Sequence, residues 1–196
     1  MLIATSAFGE GVNIPNVRHV VLYHMPFSEV EFNQMAGRAG RDGLPAYIHL
    51  LFGEADAAIN EAMLANATPD HDYMAQVYRE LRREQRDSGA SDVFITLASV
   101  TKQSNMYAPL KLLESHVVCG LQVFSELGLI KAEQTVIDNG QIKVHVIDYK
   151  GKVELVSSAR YKEGLDERAS FESFKEWILR SNSEELQERI QRPLFP

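Results

Sequence analysis

The stretch Gln34-Met35-Ala36-Gly37-Arg38-Ala39-Gly40-Arg41-Asp42-Gly43 gathers the side chains best suited to chemistry. Two arginines stand three apart, and a glutamine stands four before the first. If the helix reaches about Ala39, positions 34, 38 and 41 share one face at i, i+4, i+7, and Phe32, Met35 and Ala39 take the packed side. A guanidinium stays charged and offers a planar fork of donors matched to phosphate oxygens. One amide and two guanidiniums together can stabilise negative charge on a transferring phosphoryl group, where such an arginine contributes about 10³ to 10⁵ in rate. Gly37 and Gly40 leave room for close approach of a ligand or another backbone. A lone R-x-x-R is an ordinary solvated helix end. The glutamine, the two glycines and the trailing Asp-Gly make this one more specific.

A second block lies upstream: Ala4-Thr5-Ser6-Ala7-Phe8-Gly9-Glu10-Gly11-Val12-Asn13-Ile14-Pro15. Together the two blocks resemble motifs V and VI of superfamily 2 helicases, most closely the RecQ-like branch, over Leu2 to Phe52. The resemblance implies that Arg38 and Arg41 reach the γ-phosphate of ATP across a cleft between two RecA-like lobes, with Gln34 in support. It further implies that Gly9, Gly11, Asn13, Gly37 and Gly40 belong to the nucleotide side, and that Thr5 and Ser6 face nucleic acid. ATP and Mg²⁺ would be cofactors of a complete parent protein, and none is expected for this chain alone. The chain contains no G-x-x-x-x-G-K-[ST] phosphate loop, and no acidic box that would hold magnesium is expected in it. Arginines without a nucleotide cradle are expected to hydrolyse nothing by themselves.

Elements must carry these residues. Leu2–Ser6 reads as a strand, Val20–Tyr23 as a second buried strand, and Ser28 with Glu31 as a capping box opening a helix over Glu29–Ala36. Tyr47–Phe52 reads as a third strand and Glu54–Ala65 as a helix. This order fits the closing half of a RecA-like parallel sheet over residues 1–67. Because such a sheet needs strands on both sides of its centre and both faces covered, Met1 is expected to be an internal position of a longer protein. The parent would then supply the missing N-terminal lobe.

Residues 68–196 read differently. Thr68-Pro69-Asp70 can cap a helix running to about Arg86, and Gly89 follows its end. Asp92 is expected to open a short helix containing Phe94, Ile95, Leu97 and Val100. Leu110, Leu113, Val117, Leu121, Phe124 and Leu127 recur at helical spacing up to Gly128. Leu129–Ile137 and Ile142–Ile147 flank Asp138-Asn139-Gly140, a hairpin cue. Three helices and a hairpin suggest an α+β winged-helix-like C-terminal domain. Lys102, Lys111, Lys143 and Lys150 could touch phosphates, or be scattered surface lysines. Phe171, Phe174, Trp177 and Ile178 line one helical face of a tail expected to pack onto the preceding unit.

From about Tyr73 the chain also resembles the C-terminal domain of RecJ-type single-stranded-DNA-specific exonucleases. Val77–Leu81, Gly120–Ile130 and Ser157–Tyr161 carry that likeness. It implies a parent nuclease core acting on single-stranded DNA in repair or recombination, with a fused helicase lobe. The rivals are the end of a RecQ-like helicase with a zinc-free accessory domain, and a non-catalytic DNA or protein interaction module. Asp70-His71-Asp72 is read as a helix start rather than a metal motif, and His19, His24, His49, His116 and His145 show no ligand-like clustering, so no metal site is expected. The single cysteine, Cys119, excludes an internal disulfide and any cysteine-rich zinc site. A net charge of −7 argues against a generally basic nucleic-acid coat. No apolar run is long enough for a bilayer, so a cytoplasmic protein with no membrane partner is expected.

Overall fold

The computed structural model describes residue 3 and residues 14–133, 140–149 and 151–191. Chain contacts divide it into two units, one of residues 1–62 with 169–196 and one of residues 63–168. The sequence suggested a single boundary at 67–68. The structure crosses over twice, and both crossings fall inside helices.

The first unit contains β1 (His19–Leu22), α1 (Glu29–Ala36) and β2 (Tyr47–Leu50). It also holds the start of α2 (Glu54–Ala67), the end of α6 (Ala159–Arg180), and α7 (Ser183–Gln191). β1 and β2 pair in parallel, His19 opposite Tyr47 and Leu22 opposite Leu50. Parallel neighbours require a crossover, and α1 supplies it. The expected helix over Glu29–Ala36 is present with the same bounds. Its cap is half of the expected box. Ser28 Oγ accepts from the Glu31 amide at 3.2 Å, but the Glu31 carboxylate accepts from the Phe27 amide at 2.8 Å. Phe32 and Ala36 turn inward from α1 and are buried.

The tail returns to this unit. Phe174 and Trp177 lie 6.5 and 5.9 Å from the Phe32 ring, and Phe171 lies 6.2 Å from Phe27. Lys175 pairs with Glu61 and Glu172, and Arg189 Nη2 reaches Glu29 Oε2 at 2.7 Å. The aromatic stripe read in the sequence is therefore core, but of the first unit. No local pattern could say so, because Arg189 and Glu29 stand 160 residues apart.

The second unit runs α3 (His71–Ser88), β3 (Asp92–Ile95), α4 (Leu97–Tyr107), α5 (Glu114–Glu126), β4 (Ile130–Ala132) and β5 (Ile142–Val146), then the first part of α6. The three strands form an antiparallel sheet in the order β3-β5-β4. Its core gathers Met74, Val77 and Leu81 from α3, Val117 and Phe124 from α5, and Val93, Ile95, Ile130 and Val144 from the sheet.

Two expected elements are corrected. The helix expected from Asp92 is instead strand β3, with Val93 and Ile95 buried and Phe94 half exposed, a period of two. The next helix starts after Thr96, whose hydroxyl and the Ser99 side chain form a reciprocal capping box. Helix α5 begins at Glu114, so Leu110 and Leu113 fall outside it, and Leu112 is the buried leucine of that connection. The hairpin strands do pair, Ile130 opposite Val146. The turn residues Asp138 and Asn139 and the strand extension 134–137 lie outside the described residues. Asp70 is the N-cap of α3 by its backbone, but its carboxylate takes Arg168 Nη1 at 2.8 Å instead of capping.

His116 sits buried at the start of α5 with both ring nitrogens engaged. Nδ1 accepts the Leu113 amide at 3.3 Å, which leaves Nε2 to donate to Asn66 Oδ1 at 3.3 Å. Only the neutral ring satisfies both, and burial pushes its pKa below the ordinary value. The unfolded chain takes up a proton near pH 6.5 that the folded chain refuses. The stability contributed is therefore complete above about pH 6.5 and declines as pH falls below it. Urea midpoints measured at pH 7.5, 6.5 and 5.5 should fall with pH for the native chain. They should fall less for His116→Gln, whose amide keeps a donor for Asn66.

Candidate functional site: the arginine loop

Helix α1 delivers Gln34 exposed near its end, and the chain then enters a turn from Gly37 to Asp42. The helix stops at Ala36, three residues before the point assumed for a shared face. Gly37 is the C-cap, its amide bonded to Asn33 O at 2.8 Å, and the following bonds, Arg38 N to Met35 O and Ala39 N to Ala36 O, are tighter three-residue turns. Gly40 then takes φ +62°, and the chain reverses. Arg38 thus continues the sense of the helix, half-buried. Arg41 lies beyond the left-handed glycine, exposed, its Nε donating to Gly37 O at 3.2 Å. The i, i+4, i+7 face across 34, 38 and 41 does not form as a helical face.

What replaces it is a braced loop. Gly40 N donates to Val17 O at 3.0 Å and Asp42 N to Pro15 O at 3.2 Å, tying the turn to the residues leading into β1. A Cβ at Gly40 would stand 2.8 Å from Leu44 O, so the glycine is required both by its φ and by the backbone passing it. The amides of Gly37 and Gly40, expected on the nucleotide side, are both bonded within the chain. Arg18 closes the brace. It pairs with Asp42 and donates through Nη1 to Leu44 O and Pro45 O at 3.1 and 3.2 Å. Partial desolvation would raise the Asp42 carboxyl. The Leu44 amide and the Arg18 guanidinium outweigh it and hold the group below the usual carboxylate range.

Arg18 is a residue that the sequence reading passed over, although an Asp following an arginine pair needs a cation of its own. Asn33 is another. Its amide nitrogen and oxygen are both buried without a hydrogen-bond partner among the described residues, and nothing in the sequence marks it. Thr5, Ser6, Gly9, Gly11 and Asn13 lie outside the described residues.

On the outward face of the strand pair, His19, Tyr47 and His49 stack with ring centroids 5.3 to 6.5 Å apart, and His19 Nδ1 lies 3.1 Å from His49 Nε2. These two histidines are brought together by parallel register, which residue spacing did not show. Among the described residues no group of three His, Cys, Asp or Glu is placed to hold a metal ion. Of the lysines considered for phosphate contact, Lys143 pairs with Asp92 and Glu133 at 3.2 Å each, and Lys111 donates to Asn105 O at 2.7 Å. Lys102 is exposed, and Lys150 lies outside the described residues. No helix among the described residues is long and apolar enough to cross a membrane.

Residues 1–43 match the helicase conserved C-terminal domain. A probable ATP-dependent DNA helicase RecS of Bacillus subtilis is 36% identical over 88 residues, which cover 44% of this chain and 18% of that protein. The ATP-dependent DNA helicase RecQ of Pasteurella multocida is 48% identical over 58 residues, 30% of this chain and 9% of that protein. The RecQ-like DNA helicase blm-1 of Caenorhabditis elegans is 44% identical over 57 residues, 29% and 6%. In each case the matched stretch spans less than a fifth of the relative. No solved structure matches the chain. The early part of the chain is thus similar to the C-terminal segment of RecQ-like helicases, and these matches give no support to the RecJ-type resemblance of the later part.

Proposed function

We propose that this chain is the C-terminal part of a RecQ-like ATP-dependent DNA helicase. The observation that carries this reading is the braced loop of Gly37–Gly43, which holds Arg38 and Arg41 directly after a β-α crossover inside the stretch that matches the helicase domain. In that role the two guanidiniums meet the γ-phosphate of an ATP whose cradle and Mg²⁺ ligands belong to another lobe, and Gln34 supports them. A loop tied to Val17 and Pro15, just ahead of β1, presents its arginines without reorganising when charge develops, which is what electrostatic stabilisation requires.

The second unit is read as winged-helix-like, guiding single-stranded DNA. Its element order supports this: helix, strand, two helices, then two strands, with the first strand added to the edge of the hairpin. The test is ATP turnover by the longer protein that carries this chain. Hydrolysis stimulated by single-stranded DNA, with a phosphate loop upstream, is the expected result. A protein with aspartate–histidine nuclease motifs upstream and no DNA-stimulated ATPase would overturn it in favour of the RecJ-type reading.

A further inference from the structure

The C-terminal half of α3 carries Arg79, Arg82, Arg83 and Arg86, and with the end of α4 they line an open cleft of about 740 Å³. That size falls among ordinary ligand pockets of about 300–1,000 Å³. Four guanidiniums on neighbouring turns are conspicuous in a chain of net charge −7. Three carboxylates answer them in part: Arg82 reaches Asp148 at 3.2 Å, and Arg83 lies 3.8 Å from Glu80 and 3.7 Å from Asp87. Arg79 and Arg86 are exposed and make no ion pair among the described residues. Arg79 is instead aimed by a relay, donating to Gln76 Oε1 at 3.0 Å while Gln76 donates to Ser104 at 2.7 Å.

Two further features point to a ligand. Tyr107 is 69% exposed and carries the Arg83 guanidinium 5.0 Å above one face of its ring, which leaves the other face to solvent. Glu80, in the cleft wall, is 8% exposed, and its Oε2 faces Arg83 Nη1 at 3.8 Å, beyond hydrogen-bond reach, with no hydrogen-bond donor among the described residues. A buried acceptor in that condition lacks a donor that a ligand can supply. An acidic peptide would satisfy the arginines but not Glu80, which would repel it. A nucleotide brings all three complements: phosphate for guanidinium, an aromatic face for tyrosine, and base N–H groups for the carboxylate.

We propose that this cleft holds one unpaired nucleotide of single-stranded nucleic acid, its phosphates on Arg79 and Arg86, its base stacked on Tyr107, and its N–H edge turned to Glu80. The assignment rests on reading the second unit as a nucleic-acid guide and names the surface. Guanine presents two adjacent donors on its Watson–Crick edge, and thymine presents one donor between two acceptors. The site should therefore favour guanine over thymine.

The experiment is fluorescence anisotropy of the full chain with labelled dT12 and with a dT12 carrying a single central guanine, across a salt series. Tyr107→Ala should weaken binding by about 5- to 150-fold, as loss of one stacked base does, and Tyr107→Phe should restore it. Arg79→Ala with Arg86→Ala should flatten the slope of log K against log salt by about 1.4, two phosphate contacts at about 0.7 each. Glu80→Gln should erase the guanine preference. All but Glu80 are exposed, so these variants are expected to fold, which far-UV circular dichroism checks. Native-like binding by the arginine and tyrosine variants would overturn the cleft and leave the nucleic-acid reading standing. A native chain that binds neither oligonucleotide at low salt would overturn both. Displacement of the oligonucleotide by an Asp/Glu-rich peptide, with the same arginine dependence, would make this a protein-docking surface and also overturn the proposal.

Discussion

Arg38→Ala and Arg41→Ala, each made in the longer protein that supplies the nucleotide cradle, are expected to lower DNA-stimulated ATP turnover by about 10³- to 10⁵-fold. The loss should fall on kcat, with KM for ATP nearly unchanged. An arginine that meets charge developing on the transferring phosphoryl group contributes in the transition state and little in the ground state, and removal of such a contact lowers kcat and kcat/KM together. Lysine at either position should recover only part of the rate, because an ammonium is a point charge and the fork geometry is gone. The brace through Gly40, Asp42 and Arg18 should survive, although Arg41→Ala also removes the Nε bond to Gly37 O, so far-UV circular dichroism should accompany the kinetics. Turnover that survives both substitutions would leave the loop a structural remnant and favour a non-catalytic interaction module.

How far the sequence reached is visible in particular residues. Helix α1 and the strands on either side of it were legible because Ser28 announces the start and apolar runs mark the strands, all of it local information. Of the run expected to be buried, Val20–Tyr23, the structure buries Leu22 and leaves Val21 and Tyr23 exposed. The arginine spacing was legible too, but not its geometry. A helix carried three residues too far made Gln34, Arg38 and Arg41 collinear, and Gly40 at φ +62° breaks that line. The brace from Arg18 spans 24 positions and leaves no periodic trace. In the second unit, Asp92 favours a helix cap by residue type alone, but the alternation of Val93 and Ile95 with Phe94 is the stronger signal, and it makes a strand. The orphan atoms of Glu80 and Asn33 are properties of packing, and no sequence pattern carries them.

Phe32→Ala is expected to destabilise the first unit by about 3–5 kcal/mol, the cost of removing a fully buried aromatic and leaving a cavity. Phe32 is 0% exposed and contacts Phe174 and Trp177 of the returning tail. Trp177 is the sole tryptophan, so its fluorescence follows this cluster directly. With a urea slope of about 1–3 kcal/mol per molar, the fluorescence midpoint should drop by at least about 1 M. Far-UV circular dichroism, which reports every helix, need not move in step, because a chain of two units is not bound to unfold as one transition. Replacing Trp177 with phenylalanine would keep the packing and remove the signal, so Phe174→Ala offers the independent check: it should shift the same fluorescence midpoint in the same direction. The consequence reaches the arginines. Phe32 and Ala36 are the buried residues of α1, the helix that ends at the arginine loop, and the tail packs on Phe32. If the tail is core to that helix, a chain ending before Ala169 should lose the Trp177 cluster and hold Arg38 and Arg41 less firmly. A Trp177 midpoint unmoved by Phe32→Ala would separate the tail from the helix and leave the loop to stand on its brace alone.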